Sequence, residues 1–133
     1  MRVYLDTNVI IDFLNPAREQ HKHSRKLIQS LIANKYEIII SEDMLSTVFY
    51  INNEKRITLD FFNSIQDSWM ISSFGKNVIK DSIDLSIKNN IDFEDVLQCL
   101  CAKKNNCDAL ITNDNYFYDC GLKIKTASEF LND

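Results

Sequence analysis

The feature that most constrains this chain is a set of short apolar runs that do not alternate. Ile38-Ile39-Ile40 and Ala109-Leu110-Ile111 place an apolar side chain at every position, and Val3-Tyr4-Leu5 does nearly the same. Successive strand residues point to opposite faces, so such runs suit strands covered on both sides, as in a parallel sheet. Parallel neighbours need long crossovers, and the stretches between the runs carry helical spacing. Within Arg18–Ala33, for example, Leu27, Ile28, Leu31 and Ile32 share one face, opposite Lys22, Arg25 and Lys26.

The remaining elements follow the same logic. Val9-Ile10-Ile11 and Phe13-Leu14 read as a short buried helix closed by Asn15-Pro16. A strand covers Tyr36–Ile40, and helical patterns follow at about 43–53 and about 58–68. A strand near Trp69–Ser72 and a helix over roughly 76–89 come next. Ile91-Asp92-Phe93-Glu94-Asp95 opens a further helix, with Asp92 at the N-cap and Asp95 at the third helical position. That helix runs to Lys103-Lys104, whose charge suits a helix C-terminus. A weak strand around Leu122–Ile124 and a helix from Ser128 finish the chain. The alternation predicts an α/β, three-layer sandwich with a mostly parallel central sheet. With 133 residues and only two glycines and one proline, residues 1–133 read as a single domain without linkers or glycine-rich phosphate loops.

Two strands end alike, in Leu5-Asp6-Thr7-Asn8 and Ile111-Thr112-Asn113-Asp114. Functional groups of open parallel sheets gather at the carboxyl ends of strands, so both acids are expected at one sheet edge. The helix opening with Asp92, Glu94 and Asp95 can add a third carboxylate there. Clustered carboxylates repel, and a hard divalent cation such as Mg²⁺ or Mn²⁺ is the natural compensation because it takes oxygen ligands. Such ions can activate water and stabilise a leaving oxygen in phosphodiester hydrolysis. Any single Asp after a strand is as readily a helix N-cap or turn former. Two such strand ends together with the acidic helix start favour the metal reading.

On these residues the chain resembles the PIN-domain family, in particular its small toxin–antitoxin members. The matching segments are Val3-Tyr4-Leu5-Asp6-Thr7-Asn8-Val9-Ile10, Asp92-Phe93-Glu94-Asp95-Val96-Leu97-Gln98 and Leu110-Ile111-Thr112-Asn113-Asp114. The resemblance implies a metal-dependent endoribonuclease, the toxin of a toxin–antitoxin pair, with an RNA substrate and a small antitoxin protein as partner. It implies Asp6, Asp95 and Asp114 as catalytic metal ligands, with Asn8, Thr112 and Asn113 supporting and Asp92 capping or flanking. Homodimers are common in that family. One departure is visible: the family usually carries an acid in the helix after the second strand, where this chain has Thr47. Glu42 and Asp43 lie about one helical turn earlier and are expected to cap that helix, or one of them reaches the metal. The alternative reading is therefore a catalytically weak or inactive PIN-like binding module. A phosphotransferase of haloacid-dehalogenase type is disfavoured, since Asn8 stands where its second Asp would be.

A net charge of −4 gives no general basic surface for nucleic acid, so bound cations or a local patch must bring phosphates in. No apolar stretch is long enough to span a bilayer, and no signal peptide is evident, which predicts a cytoplasmic protein. Cys99, Cys101, Cys107 and Cys120 lack zinc-site spacing and are expected to be reduced, partly buried thiols. His21 and His23 read as surface residues, and the Arg18–Lys26 patch as a solvated helix face. Tyr50, Phe61, Phe62 and Trp69 are candidates for base stacking, but their spacing suits core or a partner surface for most of them. Of Tyr116, Phe117 and Tyr118 one is a candidate to cover the site, with packing under a loop the default.

Overall fold

The computed structural model describes residues 1–133. Its elements run β1 (Arg2–Leu5), α1 (Thr7–Leu14), α2 (His21–Ala33), β2 (Glu37–Ser41), α3 (Asp43–Ile51), α4 (Lys55–Ile65), β3 (Met70–Ser72), α5 (Gly75–Asn89), α6 (Phe93–Lys104), β4 (Ala109–Ile111), β5 (Lys123–Lys125) and α7 (Ala127–Leu131). The five strands form one sheet in the order β3-β2-β1-β4-β5. Every pairing is parallel, with Val3 opposite Ile38 on one side and Ala109 on the other. The sheet is thus fully parallel, a simpler case than the mostly parallel one expected.

The apolar runs explain the layers. Val3, Leu5, Ile38, Ile40, Ala109 and Ile111 face one core with α1, α2, Met44 and Val48 of α3, and Ile65 of α4. Tyr4, Ile39 and Leu110, the residues between them, face a second core with Cys99, Cys101 and Ala102 of α6. Because both faces are covered, none of the three strands alternates in polarity. Strand order reverses at β1: the chain moves outward through β2 and β3, then returns over the other face by α5 and α6 to enter β4 beside β1. The crevice between β1 and β4 is therefore the topological switch point of the sheet.

Several boundaries shift for local reasons. The second helix begins at His21, because Arg18 is held in the preceding connector by Asp12 at 2.7 Å. The α4 helix begins at Lys55 and ends at Ile65: Asn52 donates to the Thr58 hydroxyl at 2.7 Å, and Trp69 turns back to pack on Phe61. That aromatic contact confirms Phe61 and Trp69 as packing residues, whereas Tyr50 is 85% exposed. Tyr116 is also exposed; Phe117 and Tyr118 pack against the smaller core as expected.

The cysteines correct one expectation. Cys101 and Cys107 are free and buried, but Cys99 and Cys120 form a disulfide. Their Cα atoms lie 6.2 Å apart, within the range a bridge can span. The bridge joins α6 to the segment after β4, a pairing that spacing along the sequence does not reveal. Air-oxidised, denatured protein should therefore titrate two thiols, rising to four after reduction. Reduction should also lower folding stability, by about 3 kcal/mol on the loop-closure estimate. Four titratable thiols before any reductant is added would contradict the bridge.

Candidate active site

Asp6 is the first residue beyond β1, the central strand, and it is only 8% exposed. Its backbone N–H donates to Ile111 O at 2.9 Å, which extends the β1–β4 ladder by one bond and seats Asp6 at the switch point. Its Oδ1 accepts the Thr7 N–H at 2.9 Å, capping α1, and its Oδ2 accepts the Thr112 hydroxyl at 2.8 Å. Asp6 thus caps α1 with one oxygen and is tied to the end of β4 by the other. Thr112 Oγ1 in turn accepts from Asp114 N–H at 3.1 Å and from Asn8 Nδ2 at 3.2 Å. One hydroxyl with one donor and two acceptor positions is fully used, tying both strand-end motifs together.

Asn113 completes the link. Its N–H donates to Asn8 Oδ1 at 3.0 Å, and its Oδ1 accepts the Ala127 N–H at 3.2 Å. Asp114 accepts the Tyr116 N–H at 2.9 Å, a turn that leaves its other oxygen uncommitted. From the opposite layer, Asp92 caps α6 by accepting the Asp95 N–H at 3.1 Å. Asn8, Thr112, Asn113 and Asp92 therefore have the geometry of supporting residues.

The acids act on one another through their charges. Burial pushes the Asp6 carboxyl up to about 6 from 3.8, and the charges of Glu94 and Asp114 add to the rise. The hydrogen bonds from Thr112 and Thr7 only partly offset it. Asp95 is also pushed up to about 6, first by burial and then by the charges of Asp92, Asp6 and Asp114. None of Asp6, Asp95, Asp114 or Glu94 takes part in an ion pair. Four carboxylates that repel one another without a balancing side-chain cation form an all-oxygen donor set that fits a hard divalent ion. No three of them enclose a single ion tightly. Mg²⁺ does not require that, because it keeps several waters and uses one or two carboxylates.

Glu94 is the member missed as a site residue, although the acidic start of α6 held the signal. Its carboxyl is raised by burial and then by the charges of Asp43 and Asp92. Asp43 thus faces the cluster. The Glu42 side chain makes no cap bond on α3, and Glu42 and Asp43 line one hollow with Ser46, Ser73 and Phe74. The capping expectation for Glu42 and Asp43 fails because Ser41 takes that role, its Oγ accepting the Met44 N–H at 3.2 Å. Thr47, one turn beyond Asp43, lines a separate hollow with Phe49, Tyr50 and Lys55.

Two polar clefts flank the acids. One is lined by Thr112, Asp114, Lys125 and Thr126, the other by Asn8, Asp12, Arg18 and Asn113. A further hollow between α5 and α6, beside Phe74, Val78 and Leu100, contains none of the site carboxylates.

The sequence and the fold have counterparts among known proteins. A protein-family model described as PIN domain matches residues 2–116. The chain is 35% identical to "Ribonuclease VapC1" of Aquifex aeolicus (strain VF5), over 97% of this chain and 92% of that protein. The fold matches VapC20 of Mycobacterium tuberculosis, described as a sarcin-ricin loop cleaving toxin, with a TM-score of 0.74 and 13% identity over 90% of this chain and 95% of that chain. It also matches VapBC2 from Rickettsia felis, bound to a DNA fragment from its promoter, with a TM-score of 0.68 and 18% identity over 95% and 98%.

The raised carboxyls have a measurable consequence. A folded pKa of about 6 against an ordinary 3.8 for Asp6 and Asp95 means that the stability they contribute is complete below about pH 4 and is lost as pH rises through about 6. In EDTA, Asp6→Asn should be more stable than wild type at pH 7.5, by up to about 3 kcal/mol, with the gap closing near pH 4. Urea unfolding across that pH range tests this, and a gap independent of pH would refute it.

Proposed function

The chain belongs to the PIN domain family, and from that membership we propose that it is a metal-dependent endoribonuclease hydrolysing RNA phosphodiester bonds, the toxin of a toxin–antitoxin pair. The observation that carries this reading is the group of carboxylates at the β1–β4 switch point, two of them raised to about 6 and none of them paired with a cation. The 35% identity to a protein named a ribonuclease supports the same chemistry. Asp6, Asp95 and Asp114 are the proposed catalytic metal ligands, and Mg²⁺ or Mn²⁺ the proposed ion. When bound, that ion supplies an activated water and neutralises charge on the phosphodiester.

The chain's own residues prepare the site. Asp6 is held at both oxygens by Thr7 and Thr112, which fixes its orientation. Glu94 and Asp43 supply the negative charge that Thr47 does not, arriving from α6 and α3. Arg18 and Lys125 are the only basic side chains lining the two flanking clefts, where they pair with Asp12 and Asp133.

The alternative, a silent PIN-like binding module, draws on Thr47 and on the lack of a tight three-carboxylate cage. A small antitoxin protein is the proposed partner, in keeping with a solved toxin-antitoxin complex from Klebsiella pneumoniae of the same fold, with a TM-score of 0.71 and 17% identity over 94% of this chain and 97% of that chain. A homodimer is proposed as well; Ile79, Ile83 and Ile87 form an exposed apolar stripe on α5 that could serve such contacts. No helix is long and apolar enough to cross a membrane. The cytoplasm, where RNA is available, is the proposed compartment.

Purified protein should bind Mn²⁺ in calorimetric titration and cleave RNA with Mg²⁺ or Mn²⁺, with EDTA stopping the reaction and Asp6→Asn abolishing it. Equal cleavage by Asp6→Asn would refute the site, and a wild type that binds no Mn²⁺ would favour the silent module. The two candidate extra acids should separate in the same titration. Asp43→Asn should weaken Mn²⁺ binding about tenfold while Glu42→Gln leaves it unchanged, the size expected for a group just outside the ligands. Equal effects would remove Asp43 from the site.

A further inference from the structure

We propose that Asp12 is a positioning residue for the carboxylate site, acting through Asn113. It is 4% exposed, an unusual place for a carboxylate, inside the otherwise apolar run Ile10-Ile11-Asp12-Phe13-Leu14. An apolar side chain there would avoid the cost of burying a charge, so packing alone does not account for it.

Its bonds show what the charge does. Oδ1 accepts from Arg18 Nε at 2.7 Å, and Oδ2 accepts from Asn113 Nδ2 at 2.7 Å. Asp12 lies one helical turn beyond Asn8 on α1, so both reach Asn113 from the same helix face. Asn8 takes the Asn113 backbone N–H and Asp12 takes its side-chain amide. Ser24 of α2 accepts from the same amide at 3.0 Å, and the Ala127 N–H at the start of α7 donates to Asn113 Oδ1. Three helices thus meet at one residue. Its chain neighbours are Thr112, which holds Asp6, and Asp114. Asp12 supplies the one ionised acceptor in that set, and charge-assisted bonds are the stronger kind. The other charged or titratable groups near it are Arg18, Glu19, which lines the same cleft, and His21, whose Nδ1 sits 2.9 Å from the Asp12 carbonyl oxygen. Fixing Asn113 fixes the backbone between the residue that orients one carboxylate and the residue that carries another.

The proposal rests on the metal-site reading above, and one experiment separates the two. Mn²⁺ is titrated calorimetrically into wild type, Asp12→Asn, Asn113→Ala and the double variant, with Tm recorded for each. Asp12→Asn keeps the shape but offers one acceptor oxygen to two donors. It should weaken Mn²⁺ binding about tenfold, and adding it to Asn113→Ala should cost little more, because both act on one link. Unchanged Mn²⁺ affinity with a lowered Tm would make Asp12 merely structural, and additive losses would show that it does not act through Asn113. Either result overturns the proposal and leaves the metal site standing. A wild type that binds no Mn²⁺ overturns both. Should Asp12→Asn fail to fold, Asp12→Ser, which retains a single acceptor, takes its place in the cycle.

Discussion

Folding takes the Asp6 carboxylate out of water with no cation beside it, and much of the rest of the structure answers that cost. Its oxygens are occupied by an amide and a hydroxyl, which are weaker compensation than a counter-ion. The neighbouring acids make the position worse, since Glu94, Asp95 and Asp114 add charge of the same sign. A chain that optimised stability alone would place Asn here. Retaining Asp is intelligible if the missing positive charge arrives from solution, and the donor set then selects a hard ion that tolerates water in its shell.

The parallel sheet makes that concentration of charge possible. Order reversal at β1 opens a crevice between β1 and β4, and the chain leaves both strands at the same edge. The crossover through α5 and α6 then brings a helix N-terminus to the crevice from the opposite layer. Asp95 and Glu94 sit in its first turn, where the helix dipole offsets part of the repulsion. The site is therefore assembled from three separate segments, each fixed by its own layer. The Cys99–Cys120 bridge fastens the segment after β4 to that same helix, one turn from Asp95. Hydrogen bonds from α1, α2 and α7 converge on Asn113 from the other side.

Much of this was legible in the sequence because it depends on local pattern. Non-alternating runs at Val3–Leu5, Ile38–Ile40 and Ala109–Ile111 announce strands buried on both faces, and the acids ending the first and last follow directly. Asp92 and Asp95 were placed correctly at the cap and third position of α6 by short-range capping rules. What stayed hidden depends on contacts between distant segments. Glu94 is legible only as part of an acidic helix start, and the charge of Asp43 acting on it comes from α3, a distant segment. Glu42 and Asp43 are adjacent in the chain, and the Ser41 hydroxyl, not either acid, takes the capping bond at Met44. Nothing local shows that Asp12 meets Arg18 and Asn113, and Cys120 finds Cys99 only through the fold of the segment between them, which includes β4.

The central claim is that the carboxylates at the β1–β4 crevice hold a divalent ion. Anomalous diffraction from crystals grown with Mn²⁺ tests it most directly. The account predicts an anomalous peak within about 2–2.5 Å of an oxygen from Asp6, Asp95 or Asp114, completed by waters. An anomalous map with no peak at those carboxylates in crystals holding millimolar Mn²⁺ would contradict it.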